Sequence, residues 1–86
     1  MRKAQDVDVL KAAAAEIKSC RARAQISQEE LAHRADVHRS FVARLEVAET
    51  QPSLAVLFRI ADALGVAPAE LVKSIAGRLK HERGDG

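Results

Sequence analysis

The chain has 86 residues and a formal net charge of +2; 48% of it is hydrophobic, yet it holds two Phe and no Trp or Tyr. That length suits one domain with a single modest core and leaves no room for a separate catalytic domain. So few aromatic side chains exclude an aromatic-lined substrate pocket or a stacking platform for single-stranded bases, and so weak a net charge does not by itself point to nucleic acid.

The opening Met1-Arg2-Lys3 is followed by Asp6, Asp8, Lys11 and Glu16, which interrupt any apolar run of the signal-peptide or membrane-spanning kind. A first helix is predicted from about Val7 to Ala24. The run Ala12-Ala13-Ala14-Ala15 favours it, and Leu10, Ala13, Ile17, Cys20 and Ala24 fall on one face. Cys20 is the one cysteine, so neither an intrachain disulfide nor a cysteine-based zinc site is expected, and a reducing cytoplasm is the expected compartment. On that face Cys20 reads as a buried apolar thiol.

Ser27-Gln28-Glu29-Glu30 has the form of a capping box, with Ile26 and Leu31 placed as a hydrophobic staple. The second helix it starts is short, Gln28 to Ala35, and Asp36-Val37 then turn the chain. A third helix runs from about Arg39 to Val47, with Val42 and Leu45 inward. Thr50-Gln51-Pro52-Ser53 reads as a loop whose Ser53 caps a fourth helix. There Leu54, Leu57, Ile60, Ala61 and Leu64 are expected inward, and Gly65 is the stop. Pro68 suits the first turn of a fifth helix, which carries Leu71, Val72 and Ile75. The domain is expected to span residues 1–76, and the polar, glycine-punctuated stretch 77–86 is expected to fray. The fold class is all-α, with five helices.

Two short helices joined by a tight turn, Gln28–Ala35 and Arg39–Val47, have the shape of a helix-turn-helix. The second must stand out far enough to enter a DNA major groove while the first braces it across the backbone. Val42 and Leu45 hold the second helix down, and its free face shows His38, Arg39, Ser40, Ala43 and Arg44. On an arbitrary helix Arg39 and Arg44 would be ordinary solvated charges; on this one they are positioned as guanine readers. Phe41 is expected to pack against the domain instead of touching a base. His33, Asp36 and His38 lie close in sequence, but without a further ligand pair they do not make a metal site. No catalytic set appears at credible spacing, so neither an enzyme nor a cofactor is expected.

At these residues the chain resembles a known family. Ile26-Ser27-Gln28-Glu29-Glu30-Leu31-Ala32, the stretch from Val37 to Glu46, and Pro52-Ser53-Leu54 with Ile60-Ala61-Asp62-Ala63-Leu64-Gly65-Val66 are similar, in that order, to segments of the lambda- and 434-repressor-like helix-turn-helix family, also called the XRE or Cro/C1 type. The likeness spans roughly Ile17 to Leu71. It implies a five-helix DNA-binding domain with the helix-turn-helix at helices 2 and 3. It places His38, Arg39, Ser40 and Arg44 on base-reading positions and Gln28 on a phosphate; Gln51 and Ser53, in the loop before helix 4, are expected as further phosphate contacts. Arg21 and Glu46 match an ion pair tying helix 1 to helix 3. The family commonly has Gly where this chain has Gln25, Asp36 and Ala48, so those turns should take other shapes or carry strain.

The function expected is a transcriptional regulator that binds a pseudo-palindromic operator in double-stranded DNA as a homodimer; a phage-type repressor and a restriction–modification controller both fit. The alternative is an antitoxin whose main partner is a protein, using the residues before helix 1 and after Leu71 as its binding arm. The apolar residues in excess of one small core, Val66, Pro68, Leu71, Val72 and Ile75, with Phe58 beside them, are the expected dimer face. Leu71 is also expected to close the monomer core, which leaves Val72 and Ile75 as the main contacts.

Overall fold

Three of the helices begin where a side chain satisfies their first amides. In the computed structural model, which describes residues 6–84, the Asp6 carboxylate accepts from the Asp8 and Val9 amides at 3.1 and 3.2 Å. It thereby starts α1 (Val7–Ala24). Ser27 Oγ accepts from Glu30 N at 3.0 Å and starts α2 (Gln28–Ala35). Ser53 Oγ accepts from Val56 N at 3.2 Å and starts α4 (Leu54–Leu64). Between them lies α3 (Arg39–Glu46), and α5 (Pro68–Glu82) follows with Pro68 in its first turn. The capping box is half made: the Glu30 carboxylate does not reach back to Ser27 but takes Arg34 Nε at 2.7 Å. A cation one turn on offers a charge-assisted bond where the cap offers a neutral amide.

The core is the set of faces these helices share. Ile17, Leu31, Val42, Leu45 and Ile60 have no exposure and Leu71 has 1%. Helix α1 packs against α5 and α3, while α2 packs against both α3 and α4. Cys20 is buried on α1 and donates to the Glu16 carboxylate at 3.3 Å. Burial pushes its thiol above the ordinary range, and the neighbouring Glu16 carboxylate pushes it further. A protonated thiol of this kind is a core group, not a nucleophile.

The fifth helix differs from expectation. Residues 77–82 are not a frayed tail: α5 runs through Gly77 to Glu82. Leu71, Ile75 and Leu79 recur every four residues and keep the core-facing stripe going past Gly77. Two arginines beyond that glycine then bind α1 and its cap. Arg78 Nε donates to Glu16 Oε1 at 2.7 Å, and Arg83 Nη2 to Asp6 Oδ2 at 2.6 Å. Residues 1–5 and 85–86, at the ends of the expected domain and tail, lie outside the described residues.

Three turns hold non-glycine residues in the left-handed region: Gln25 (φ 59°), Asp36 (φ 57°) and Ala48 (φ 63°). The chain thus keeps the glycine-type turn shapes and accepts their strain. For an L-residue the conformation costs about 1–2 kcal/mol. Glycine escapes it but loses about 0.5–1 kcal/mol of chain entropy relative to alanine. Ala48 has no polar side chain to offset the strain, so Ala48→Gly should stabilise the fold by about 0.5–1 kcal/mol, a rise in Tm of roughly 2–8 °C. Thermal unfolding followed by circular dichroism checks this; a lower Tm for the glycine variant would show that the turn is relaxed as it stands.

Candidate nucleic-acid interface

The α3 helix is divided by its own periodicity. Val42 and Leu45 have no exposure and Glu46 has 6%, and these three face inward. His38, Arg39, Ser40 and Arg44 are exposed: Ser40 and Arg44 lie across the helix from that buried stripe, and His38 and Arg39 stand clear of it at the N-terminal end. His38 is the N-cap of α3 and makes no side-chain capping bond, so its imidazole is left to the outer face. Among the described residues neither Arg39 nor Arg44 joins a salt bridge. The residue types that recognise base edges are therefore presented together on one helix and without internal partners. Phe41 is half-buried against the core. It supports the helix from beneath and is not part of the outer face.

Beneath α3 lies a network that holds it to α1 and α2. Arg21 on α1 donates through Nε to Glu46 Oε2 at 2.7 Å and through Nη2 to Glu46 Oε1 at 2.9 Å. Its remaining terminal nitrogen donates to the Ile26 carbonyl at 2.9 Å. The same Glu46 Oε1 accepts from Gln28 Nε2 at 3.0 Å. One carboxylate thus gathers the end of α1, the first residue of α2 and the last of α3. Burial alone would push the Glu46 carboxyl up, but the hydrogen bonds from Arg21 and Gln28 and the charges of Arg21 and Lys18 together hold it below the ordinary carboxylate value. Glu46 is ionised and fully partnered.

Gln28 accordingly has one amide hydrogen committed to Glu46 and a second available. Held at the first position of α2, it is fixed at the edge of the α3 face. Gln51 is exposed in the loop before α4, and Ser53 Oγ accepts the α4 cap bond on one lone pair, which leaves its O–H free to donate. Glu49 is also exposed, between α3 and α4, so the connection there carries one negative charge.

The apolar residues expected at a partner face separate into two groups. Leu71 and Ile75 are 1% and 9% exposed and belong to the core, and Val66 is half-buried against it. Ile75 is therefore withdrawn from the face: at a spacing of four it shares Leu71's inward direction. Val72 is 46% exposed, and with Phe58, Pro68 and Ala69 it lines a shallow cleft. Leu54, Ala55, Phe58 and Arg59 line the next one. The expectation that Leu54 points inward does not hold, since it is 70% exposed. The sequence reading also missed Glu16 and Arg59. Each makes a contact distant in sequence, to Arg78 and to the Ala35 carbonyl.

Known proteins share this fold. A model of the helix-turn-helix family, HTH_3, matches residues 17–71, a stretch that contains both helices of the motif and the Arg21–Glu46 network. The clp gene regulator ClgR from Corynebacterium glutamicum is similar in structure. It has a TM-score of 0.82 and 25% identity, and the match covers 90% of this chain and 82% of that one. The restriction-modification controller protein C.AhdI from Aeromonas hydrophila is similar with a TM-score of 0.69 and 31% identity, over 72% of this chain and 94% of that one. Among curated proteins no sequence matches.

Proposed function

Because the chain belongs to the helix-turn-helix family, of the XRE type, we propose that it is a sequence-specific regulator of transcription that binds a pseudo-palindromic site in double-stranded DNA as a homodimer. The observation that carries this reading is the outer face of α3, where Arg39 and Arg44 stand exposed beside His38 and Ser40. Behind that face, Glu46 ties α3 to both α1 and α2. A helix presented this way is preorganised to enter a major groove. The likeness to two proteins described as a gene regulator and a controller protein supports it. Among the described residues no helix is long and apolar enough to cross a membrane. The stretch after Leu71 is folded into α5 against α1, so in the antitoxin alternative a protein partner would meet a formed helix there and not a loose arm.

Selection of bound duplexes from random DNA tests the reading. The wild-type chain should enrich a two-fold sequence, and its affinity should fall steeply with salt as phosphate-bound counterions are released. Arg39→Ala and Arg44→Ala should each lose about 1–3 kcal/mol at the bases they read, with relaxed preference at those positions. If both variants bind the selected duplex as the wild type does, α3 is not the reading element.

A further inference from the structure

The α2–α3 turn is anchored from outside the motif. Arg59, on α4, donates through Nε to the backbone carbonyl of Ala35 at 2.9 Å. Ala35 is the last residue of α2, and its carbonyl is one of those a helix leaves without an internal partner. Asp36 follows in the left-handed conformation, with φ 57° and ψ 50°. The Asp36 amide then closes on His33 O at 3.3 Å and the Val37 amide on Ala32 O at 3.0 Å. The next residue is His38, the first of the exposed α3 face. Only Asp36 and Val37 therefore separate the carbonyl that Arg59 holds from the surface proposed to read DNA. Arg59 itself stands on a fixed base, because Ile60 and Ala61 beside it have no exposure.

We propose that Arg59 is a positioning residue for DNA recognition: by holding the Ala35 carbonyl it sets the angle at which the α2–α3 turn presents α3. This rests on the DNA-binding reading above. The turn needs such an anchor because Asp36 occupies the left-handed region without glycine's freedom, so other turn shapes compete with the observed one. A hydrogen bond from a guanidinium to a helix-end carbonyl is charge-assisted and also meets the negative end of the α2 dipole. Arg34 makes the reciprocal contact more weakly. Its Nη1 lies 3.5 Å from the Ala63 carbonyl, and its Nε is already bonded to Glu30 at 2.7 Å. Arg34 thus serves as the control, a cation of the same helix pair that does not hold the turn.

The test uses Arg59→Met, which keeps most of the aliphatic stem and removes the guanidinium. The probes are a duplex selected by the wild-type chain and a scrambled duplex of equal length. Preference for the selected over the scrambled duplex should fall about tenfold, the equivalent of about 1.4 kcal/mol. Affinity for the scrambled duplex, the salt slope and the sedimentation of the free protein should stay as in the wild type, which separates the effect from any change at the cleft that Arg59 also lines, and Arg34→Ala should keep the full preference. In the DNA-free protein, hydrogen exchange should quicken at the amides of Asp36 and Val37. Unchanged preference in Arg59→Met would overturn the proposal. So would an equal loss on both duplexes with a slope shallower by about one, which marks a plain phosphate contact. A wild-type chain that prefers neither duplex would overturn the DNA-binding reading instead. The exchange measurement then still decides whether Arg59 holds the turn, and unchanged rates at Asp36 and Val37 would show that it does not.

Discussion

Arg21→Met should destabilise the protein more than Glu46→Gln, although the two residues share one ion pair. The asymmetry follows from where each group is left when its partner goes. The Glu46 side chain is 2% exposed and the Arg21 side chain 19%. Without Arg21, an ionised carboxylate remains in the core with only Gln28 bonded to it, a loss of about 3–5 kcal/mol. Without the Glu46 charge, Arg21 keeps its bond to the Ile26 carbonyl and can turn toward water. The side-chain amide that Glu46→Gln puts in place of the carboxylate can still accept a bond, so the loss should be about 1–2 kcal/mol. For a domain of this size the Arg21 variant should melt roughly 12 °C or more below the wild type. Equal melting temperatures for the two variants would show that the carboxylate is not stranded as the geometry requires.

The same carboxylates give the fold a defined acid limit. Burial pushes Glu16 up, but the bonds from Arg78 and Cys20 and the charges of Arg78 and Arg23 bring it below its ordinary value of 4.5, as the Arg21 and Gln28 bonds do for Glu46. In both cases the folded value lies below the unfolded one, so the unfolded chain binds protons first as pH falls. Their stabilisation is complete above the ordinary value and is lost as pH drops through the lower, folded values. Urea midpoints should thus stay level from neutral pH down to about 5 and fall below that. The fall should be shallower in Glu46→Gln, which has one fewer group to titrate.

Local signals in the sequence account for most of the fold. Ser27, Ser53, Gly65 and Pro68 mark helix ends because capping and backbone preference act over three or four residues. The α3 face is legible for the same reason, since Val42 and Leu45 define its buried side. What was hidden depends on contacts across the chain. Glu16 sits next to Ile17 on an alanine-rich helix, and nothing local says that a carboxylate belongs in that core. Its partner Arg78 lies 62 positions away, in a stretch whose glycine and charges read as a tail. Arg59 is hidden likewise, because its acceptor is a backbone carbonyl that no side-chain pattern reveals. In α4 the difficulty is the reverse: LAVLFRIADAL is apolar nearly all round. Periodicity there cannot separate the buried Ile60 and Ala61 from the outward Leu54 and Phe58.

Phe58→Asp combined with Val72→Asp should convert the proposed dimer to a folded monomer and weaken binding to a two-fold DNA site by about 100-fold or more. A recognition helix of eight residues reads too few base pairs to select one site; two copies on half-sites about 34 Å apart double the information and act with an effective concentration that one copy lacks. The pairing surface must therefore be apolar and lie off the α3 face. Leu54, Phe58 and Val72 are large side chains left 70%, 51% and 46% exposed, and Phe58 is common to the two clefts, one completed by Pro68 and Ala69 and the other by Ala55 and Arg59. Contiguous exposed apolar surface of this kind marks a place of association, and a two-fold contact through one patch is the commonest closed arrangement. Aspartate at both positions sets charge against charge across such an axis, whereas in the monomer both side chains already face water, so the fold should survive. Ile75→Asp is the contrasting variant: that side chain is 9% exposed within the core, and its substitution should unfold the domain instead of only separating copies. Sedimentation at micromolar concentration, with circular dichroism to confirm folding, reads the outcome. A double variant that still sediments as a dimer would move the interface elsewhere, and a wild-type chain that is monomeric both free and on DNA would remove it altogether.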